Sequence, residues 1–279
     1  MPGVRVVTDS ACDLSDEQLA ELGIGLVPLR IRFGAEELVD REQLSTKEFW
    51  SRCAGFDGLP ETSAPSPGQF QQVFEAMAGE GADGVVCISL SSKMSATIEA
   101  ARQAARSVEG SLPVKVVDSL NVTLGLGLIV VDAAQRAAGG ATLEDVAAAA
   151  GATARSTKLY GVIDTLENIR RGGRIGGAQA LLGSVLSIKP VVEVRDGVVE
   201  EESKQRTRGK ALHYLAAKVM AAGPISRLAV FDAMAPDMDD FLKLIDDVKP
   251  SGGVVRGDIG PAIGTHAGPR CIGVAWTAL

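Results

Sequence analysis

Uncharged hydroxyls recur in this 279-residue chain wherever an apolar run gives way to a polar loop. Thr8-Asp9-Ser10 follows the apolar run 4–7, Ser91-Ser92-Lys93-Met94-Ser95 follows 84–90, and Asp118-Ser119 follows 114–117. Thr62-Ser63-Ala64-Pro65-Ser66-Pro67 precedes a helical pattern over 68–78. In an open parallel sheet, ligands bind at the carboxyl ends of the strands. Helix N-termini there offer free N–H groups and the positive end of a dipole. Hydroxyls add donors without adding charge, so the set suits a carboxylate or a phosphate.

Each of these residues also has a local reading. Ser66, with Pro67 at the first helical position and Gln69 at the third, is a complete cap without any ligand. Ser95 reads either as a cap or as a ligand donor, and Asp9 and Asp118 either as holders of loop backbone or as catalytic groups. Thr62 stands four residues before its cap, in a segment read as a loop that needs no hydroxyl. His266 falls in Ile263-Gly264-Thr265-His266-Ala267-Gly268-Pro269, read as a Gly/Pro loop between two late strands. That setting favours a functional histidine. His213 falls beside the apolar face of an amphipathic helix, a solvated or rim position. Arg170, Arg171 and Arg174 surround glycines at a short helix end, with Lys189 and Arg206 as further candidates. Three readings stand for this cluster: complement to the helix dipole, anion clamp, or docking patch for a partner.

Two domains, or one large one, must position these groups. Hydrophobic residues make up 46% of the chain and charged residues 23%, enough for a sizeable core. Aromatics are only 4%, so that core is aliphatic. The net charge of −7 argues against binding to nucleic acid or anionic membranes, though a local pocket can still take a small anion. The longest apolar run, around 122–131, stops at Asp132, short of the ~18 residues of a membrane span. Met1-Pro2-Gly3-Val4-Arg5 lacks the marks of a signal peptide. Cys12, Cys53, Cys87 and Cys271 are widely spaced and only two histidines accompany them, so no metal site is expected. A cytoplasmic protein with reduced thiols and without cofactors is the expectation.

The first half alternates strand and helix patterns. Strands are expected over 4–7, 24–33, 84–90 and 114–117, and helices over 95–108, 124–138 and 143–154, the last capped by Thr142. Ser15 with Gln18 and Ser45 with Glu48 read as capping boxes, and Gly23 as a helix stop. This order implies a mostly parallel sheet with helices on both faces. The second half changes character after about residue 156. It offers strands over 159–163, 228–232, 253–258 and 271–276, and helices over 165–171, 178–187, 207–222 and 237–248. Residues 190–203 read as a hairpin turning at Asp196-Gly197. The fold class is α/β: an N-terminal parallel-sheet domain over 1–156 and a C-terminal α+β domain with a mixed sheet over 157–279, joined over a broad interface.

Taken in order, the short motifs resemble the DegV family of bacterial fatty-acid-binding proteins over essentially the whole chain. They are Thr8-Asp9-Ser10, Thr62-Ser63-Ala64-Pro65-Ser66-Pro67, Ser91-Ser92-Lys93-Met94-Ser95-Ala96-Thr97 and Val117-Asp118-Ser119. Arg171-Gly172-Gly173-Arg174-Ile175, Ile188-Lys189-Pro190 and Gly264-Thr265-His266-Ala267-Gly268-Pro269 complete the set. The resemblance implies one long-chain fatty acid held between two domains. It implies that Thr62, with Ser63 beside it, Ser95, with Ser92 beside it, and His266 bind the carboxylate. Some members work with a separate fatty-acid kinase that makes an acyl phosphate, and Arg170, Arg171 and Arg174 sit where such a partner or the head group would be met. Ala96 replaces a usual Gly, Arg270 another, and Thr123 a common Ser.

Two functions are weighed on these residues. One is a lipid-binding protein without catalysis of its own. The other is an enzyme: a hydrolase using Ser95, His266 and Asp118, or a phosphotransferase using His266. No G-x-S-x-G elbow or Walker-type phosphate loop supports the second.

Overall fold

The computed structural model describes residues 3–181 and 188–278. The chain opens with β1 (Gly3–Asp9), a 3-10 turn at Ser10–Cys12 and α1 (Asp16–Glu21). Ser15 and Gln18 cap α1 reciprocally, as the sequence predicts. Then come β2 (Gly25–Val27), β3 (Arg30–Phe33), β4 (Glu36–Val39), α2 (Thr46–Gly55), β5 (Glu61–Ser63) and α3 (Pro67–Gly79). β6 (Ala82–Ser89), α4 (Thr97–Val108), β7 (Val114–Asp118), α5 (Thr123–Ala138) and α6 (Leu143–Ser156) complete the first half.

A four-stranded parallel sheet, ordered β2-β1-β6-β7, forms its centre. Its near-continuous apolar runs follow from cover on both faces. Val6, Val86 and Ile88 pack in one core cluster with α5 and α6, while Val7, Val85 and Cys87 pack with Phe70, Phe74 and α4. Gly127 lets α5 ride close on the 3-10 turn, since a Cβ there would stand 2.8 Å from the Cys12 carbonyl oxygen.

The single strand expected over 24–33 is two strands in two sheets. Pro28 interrupts the run and has no N–H for a ladder. β2 pairs with β1, whereas β3 sits between β4 and β5 in a separate antiparallel sheet. Thr62 therefore lies on a strand opposite Ile31, not in a free loop. The Ser45 hydroxyl accepts from the Glu48 N–H, but the Glu48 carboxylate turns to Arg52, so the reciprocal half of that box is not made.

The second half comprises β8 (Lys158–Val162), α7 (Glu167–Arg171), a 3-10 segment at Gly176–Leu181, β9 (Lys189–Arg195), β10 (Val198–Gln205) and α8 (Arg208–Met220). It ends with β11 (Ile225–Asp232), α9 (Met238–Leu244), β12 (Val254–Asp258), α10 (Pro261–Ala267) and β13 (Ile272–Ala278). The six strands form a mixed sheet, ordered β10-β9-β8-β13-β11-β12, in which only β11 and β12 run parallel. Asp196 and Gly197 both take positive φ, 50° and 82°, as the expected type I′ hairpin requires. The helix expected over 178–187 begins as the 3-10 segment, and its remainder, 182–187, lies outside the described residues.

The sheet's two faces are sorted by strict alternation. Tyr160, Val162, Val191, Val230 and Val274 pack under α8 and α9. Leu159, Val192, Val194, Phe231 and Ala275 face the first half and share its core. The segment around His266 is the helix α10, started by Pro261 after Gly260, and not a loop. Gly264 seats it on α2, because a Cβ there would stand 2.7 Å from the Trp50 ring. Among the described residues, no helix is long and apolar enough to cross a membrane.

Candidate functional site

An apolar cavity that opens to solvent, about 860 Å³ with the open space at its mouth included, lies between the parallel sheet and the mixed sheet. Leu29, Leu90 and Val122 wall it from the first half, and Leu159, Gly161, Ile163, Val192, Val194 and Phe231 from the second. Its polar groups are few: Thr62, Ser95, Thr123, Arg174 and His266. An aliphatic chamber with a few placed polar groups is the usual form of a small-molecule site.

Thr62 is carried by β5 and His266 by α10, and their side chains meet with Oγ1 3.0 Å from Nε2. Among the described residues, His266 Nδ1 is buried without a partner, against the backbone of Gly172. Burial, and then the Arg174 guanidinium, push the imidazole pKa down to about 4, so the ring is neutral at pH 7. A neutral ring carries its proton on one nitrogen. Placing it on Nδ1 would strand a buried donor, so the Nε2–H tautomer is favoured. Nε2–H then donates to Thr62, whose own hydroxyl hydrogen is free to donate elsewhere.

Ser95 precedes α4, which starts at Thr97 and not at Ser95. Its Oγ accepts from the Thr97 N–H at 3.3 Å and lies 2.8 Å from the Thr97 hydroxyl. Arg174 donates from Nε to the Met94 carbonyl and from Nη1 to the Gly172 carbonyl, which ties the glycine turn to the Ser91–Ser95 loop. Thr62, Arg174 and His266 also line a second, polar recess together with Asn168 and Arg171. These three residues thus form the partition between an apolar chamber and a polar antechamber.

The other residues singled out by sequence sit elsewhere. Ser63 is exposed and its hydroxyl donates to Glu37, and Ser92 is exposed with its N–H on Asp118; neither lines the cavity. Arg170 is exposed and pairs with Glu167 on its own helix, and Arg171 is exposed at the antechamber. Lys189 and Arg270 both turn to Asp164, at 2.9 and 3.4 Å, so neither joins the arginine cluster or approaches His266. Ser66 makes its full capping box, and His213 is exposed with Nδ1 on the Gly209 carbonyl. Asp118 holds the N–H groups of Ser92 and Leu120.

Three buried carboxylates support the cavity wall. Asp9 accepts from the Leu90 N–H and the Ser89 hydroxyl. Asp40 accepts from the Ser10 hydroxyl, which in turn accepts from the Leu29 N–H. Asp13 accepts from the Gly260 N–H at the start of α10. Burial raises their pKa values to about 6, 6 and 7. Of the two sequence readings of Asp9, loop holder and catalytic group, its bonds fit the first; Asp13 and Asp40 carry no signal in the sequence, because their partners lie far along the chain. Cys12, Cys87 and Cys271 are buried free thiols, with pKa values raised by burial. Among the described residues, no three His, Cys, Asp or Glu side chains converge as a metal site.

Comparison with known proteins agrees with this architecture. A family model described as "Uncharacterised protein, DegV family" matches residues 3–279. A DegV domain-containing protein of Streptomyces coelicolor is 36% identical over 276 residues, covering 97% of each chain. The solved structure titled as fatty acid binding of a DegV family protein from Thermus thermophilus is 31% identical. It superposes with a TM-score of 0.90, covering 99% of this chain and 100% of that one. A stearic-acid-binding protein from Eubacterium ventriosum is 25% identical with a TM-score of 0.88, covering 99% of this chain and 98% of that one. Matched by the family model over nearly its whole length, and 36% identical to a relative across 97% of each chain, the chain belongs to the DegV family.

Proposed function

We propose that this protein binds one long-chain fatty acid, with the tail in the apolar chamber and the carboxylate at Thr62, Ser95 and His266. The observation that carries the reading is the cavity itself: an aliphatic chamber whose few polar groups include the paired Thr62 and His266 side chains. Each buried methylene contributes about 0.8 kcal/mol, so a sixteen-carbon tail supplies roughly 10 kcal/mol before ordering costs. A buried carboxylate needs donors, or its desolvation cancels much of that gain. The Thr62 and Ser95 hydroxyls supply them, and Arg174 adds positive potential from the partition. Ser63 and Ser92 support their neighbours through backbone placement. Residues 1–156 then supply the hydroxyls, and residues 157–279 supply His266 and the sheet floor.

The bound head group faces the antechamber lined by Arg171 and Arg174. In this reading the protein carries the acid through the cytoplasm and presents its carboxylate there to a separate fatty-acid kinase, with Arg170, Arg171 and Arg174 meeting the partner. The enzyme alternative lacks its relay among the described residues: Asp118 is engaged with loop backbone, and Nδ1 of His266 has no carboxylate to orient it. A histidine with pKa about 4 is also a weak base at neutral pH. Native mass spectrometry and calorimetry with C14–C18 acids test the proposal. One acid per chain is expected, and a protein that stays empty with every acid refutes it.

A further inference from the structure

The floor of the chamber is missing one side chain. Strand β8 and the residue that follows it present positions 159, 161 and 163 to the cavity; Leu159 and Ile163 fill theirs, and Gly161 does not. Across the sheet, Gly161 stands in one row with Val192, Gly273 and Phe231. Gly273 is accounted for, because the Phe231 ring lies over it: a Cβ there would stand 2.1 Å from Cε2. Gly161 is not accounted for in that way. Among the described residues, the nearest atoms to an added Cβ would be Cys271 Sγ, the Ile272 carbonyl oxygen and Val192 Cγ2, all at 3.8 Å, which is ordinary contact. Its φ lies outside the left-handed region, so the backbone does not demand glycine either. Glycine inside a strand weakens it, and such a position often marks a close approach by a ligand. What Gly161 provides is an open slot between Val192 and Phe231.

We infer that Gly161 is a specificity-determining residue for acyl-chain length: the tail occupies the slot above it, and any side chain there shortens the acid the protein accepts. The inference rests on the fatty-acid reading. An acid whose terminal methylenes reach past the slot loses their burial when the slot is filled. An acid that ends before it loses nothing. Because each buried methylene is worth a factor of several in affinity, displacing two of them weakens binding about tenfold.

The test is calorimetry with saturated acids from C10 to C18 on wild type, Gly161→Ala, Gly161→Val and Phe231→Ala, with thermal melts as the folding control. Gly161→Val is expected to lose about tenfold or more for C16 and C18 while binding C12 within about twofold of wild type. Gly161→Ala, whose methyl meets only ordinary contacts, shifts the same way by less, and it decides the matter should the valine variant not fold. Phe231→Ala, which clears the neighbouring position, moves the preference to longer acids. Equal weakening at all lengths, or an unchanged length profile in folded glycine variants, overturns this inference while leaving fatty-acid binding intact. Failure of wild type to bind any acid overturns the fatty-acid reading itself, and the inference with it.

Discussion

Replacing Asp13 by Asn tests whether the buried carboxylates strain this fold at neutral pH. The Asp13 side chain is 5% exposed. Oδ1 accepts from the Gly260 N–H at 3.0 Å, while among the described residues Oδ2 makes no hydrogen bond of good geometry, with the Thr123 hydroxyl beside the carboxylate. Burial raises the pKa from 3.8 to about 7, against the opposing pull of Thr123, Arg41 and the Gly260 N–H, and with a further push from Asp40. The folded state thus holds this proton more tightly than the unfolded chain does. Stability contributed by the protonated group is complete below the unfolded pKa of 3.8 and is lost as pH rises through about 7. A shift of about three units corresponds to about 4 kcal/mol, and relaxation with water entry trims such a penalty to about 2 kcal/mol.

Asn at this position keeps the acceptor for Gly260, offers a donor toward Thr123 and carries no charge. Thermal melts of ligand-free wild type and Asp13→Asn at pH 5 and pH 8 are the assay. Asp9 and Asp40 titrate with the same sign, and His266 with the opposite one, in both proteins, so the difference between variants reports Asp13 together with its coupling to Asp40. At pH 8 the variant is expected to melt about 4–8 °C higher, taking about 2–4 °C per kcal/mol for a chain near this size. At pH 5, little more than a unit above the unfolded pKa, the difference shrinks to less than half of that. A variant less stable at pH 8, or a difference that does not change between the two pH values, refutes the reasoning.

Thr62→Val and Ser95→Ala each leave part of a buried carboxylate unpaired, costing about 1–3 kcal/mol of fatty-acid affinity, read by calorimetry; Thr62→Val also strands the His266 Nε2–H and so lowers the ligand-free melting point. Gly172→Ala places a methyl 2.2 Å from His266 Nδ1 and must displace the ring, so it should reduce fatty-acid affinity about as much as His266→Ala does in a folded protein. Nitrogen NMR of His266 should show a neutral Nε2–H ring from pH 5 to 8, protonating only toward pH 4, where stability is lost as the buried ring gains charge.

The parallel sheet was legible because its chemistry is redundant. Gly84-Val85-Val86-Cys87-Ile88-Ser89-Leu90 is apolar nearly throughout, and Ser15, Ser66, Thr142 and Thr207 mark helix starts with their own side chains. The small antiparallel sheet was not legible. Glu61-Thr62-Ser63 has no apolar alternation and is a strand only because β3 offers it a partner 30 residues earlier, at Ile31 and Arg32. The glycines of α10 misled for a different reason. Gly264 reads as punctuation, yet it is there to let α10 press on Phe49 and Trp50 of α2. Sequence shows that a residue is small, not what stands against it.

The same limit runs through the site. Polar residues in a mostly aliphatic chain stand out: Thr62, Ser95 and His266 all line one cavity, and Thr62 and His266 meet there at 3.0 Å. The arginines could not be told apart by spacing, because their roles depend on direction: Arg174 turns inward to the Met94 carbonyl, while Arg170 and Arg171 stay outside. Most invisible of all were the glycines. Gly172 sets the position of the His266 ring, Gly273 lets Phe231 lie down, and Gly161 leaves the floor open. A head group is recognised by atoms that a sequence can display. A tail is recognised by space, and space is written in residues that have no side chain to read.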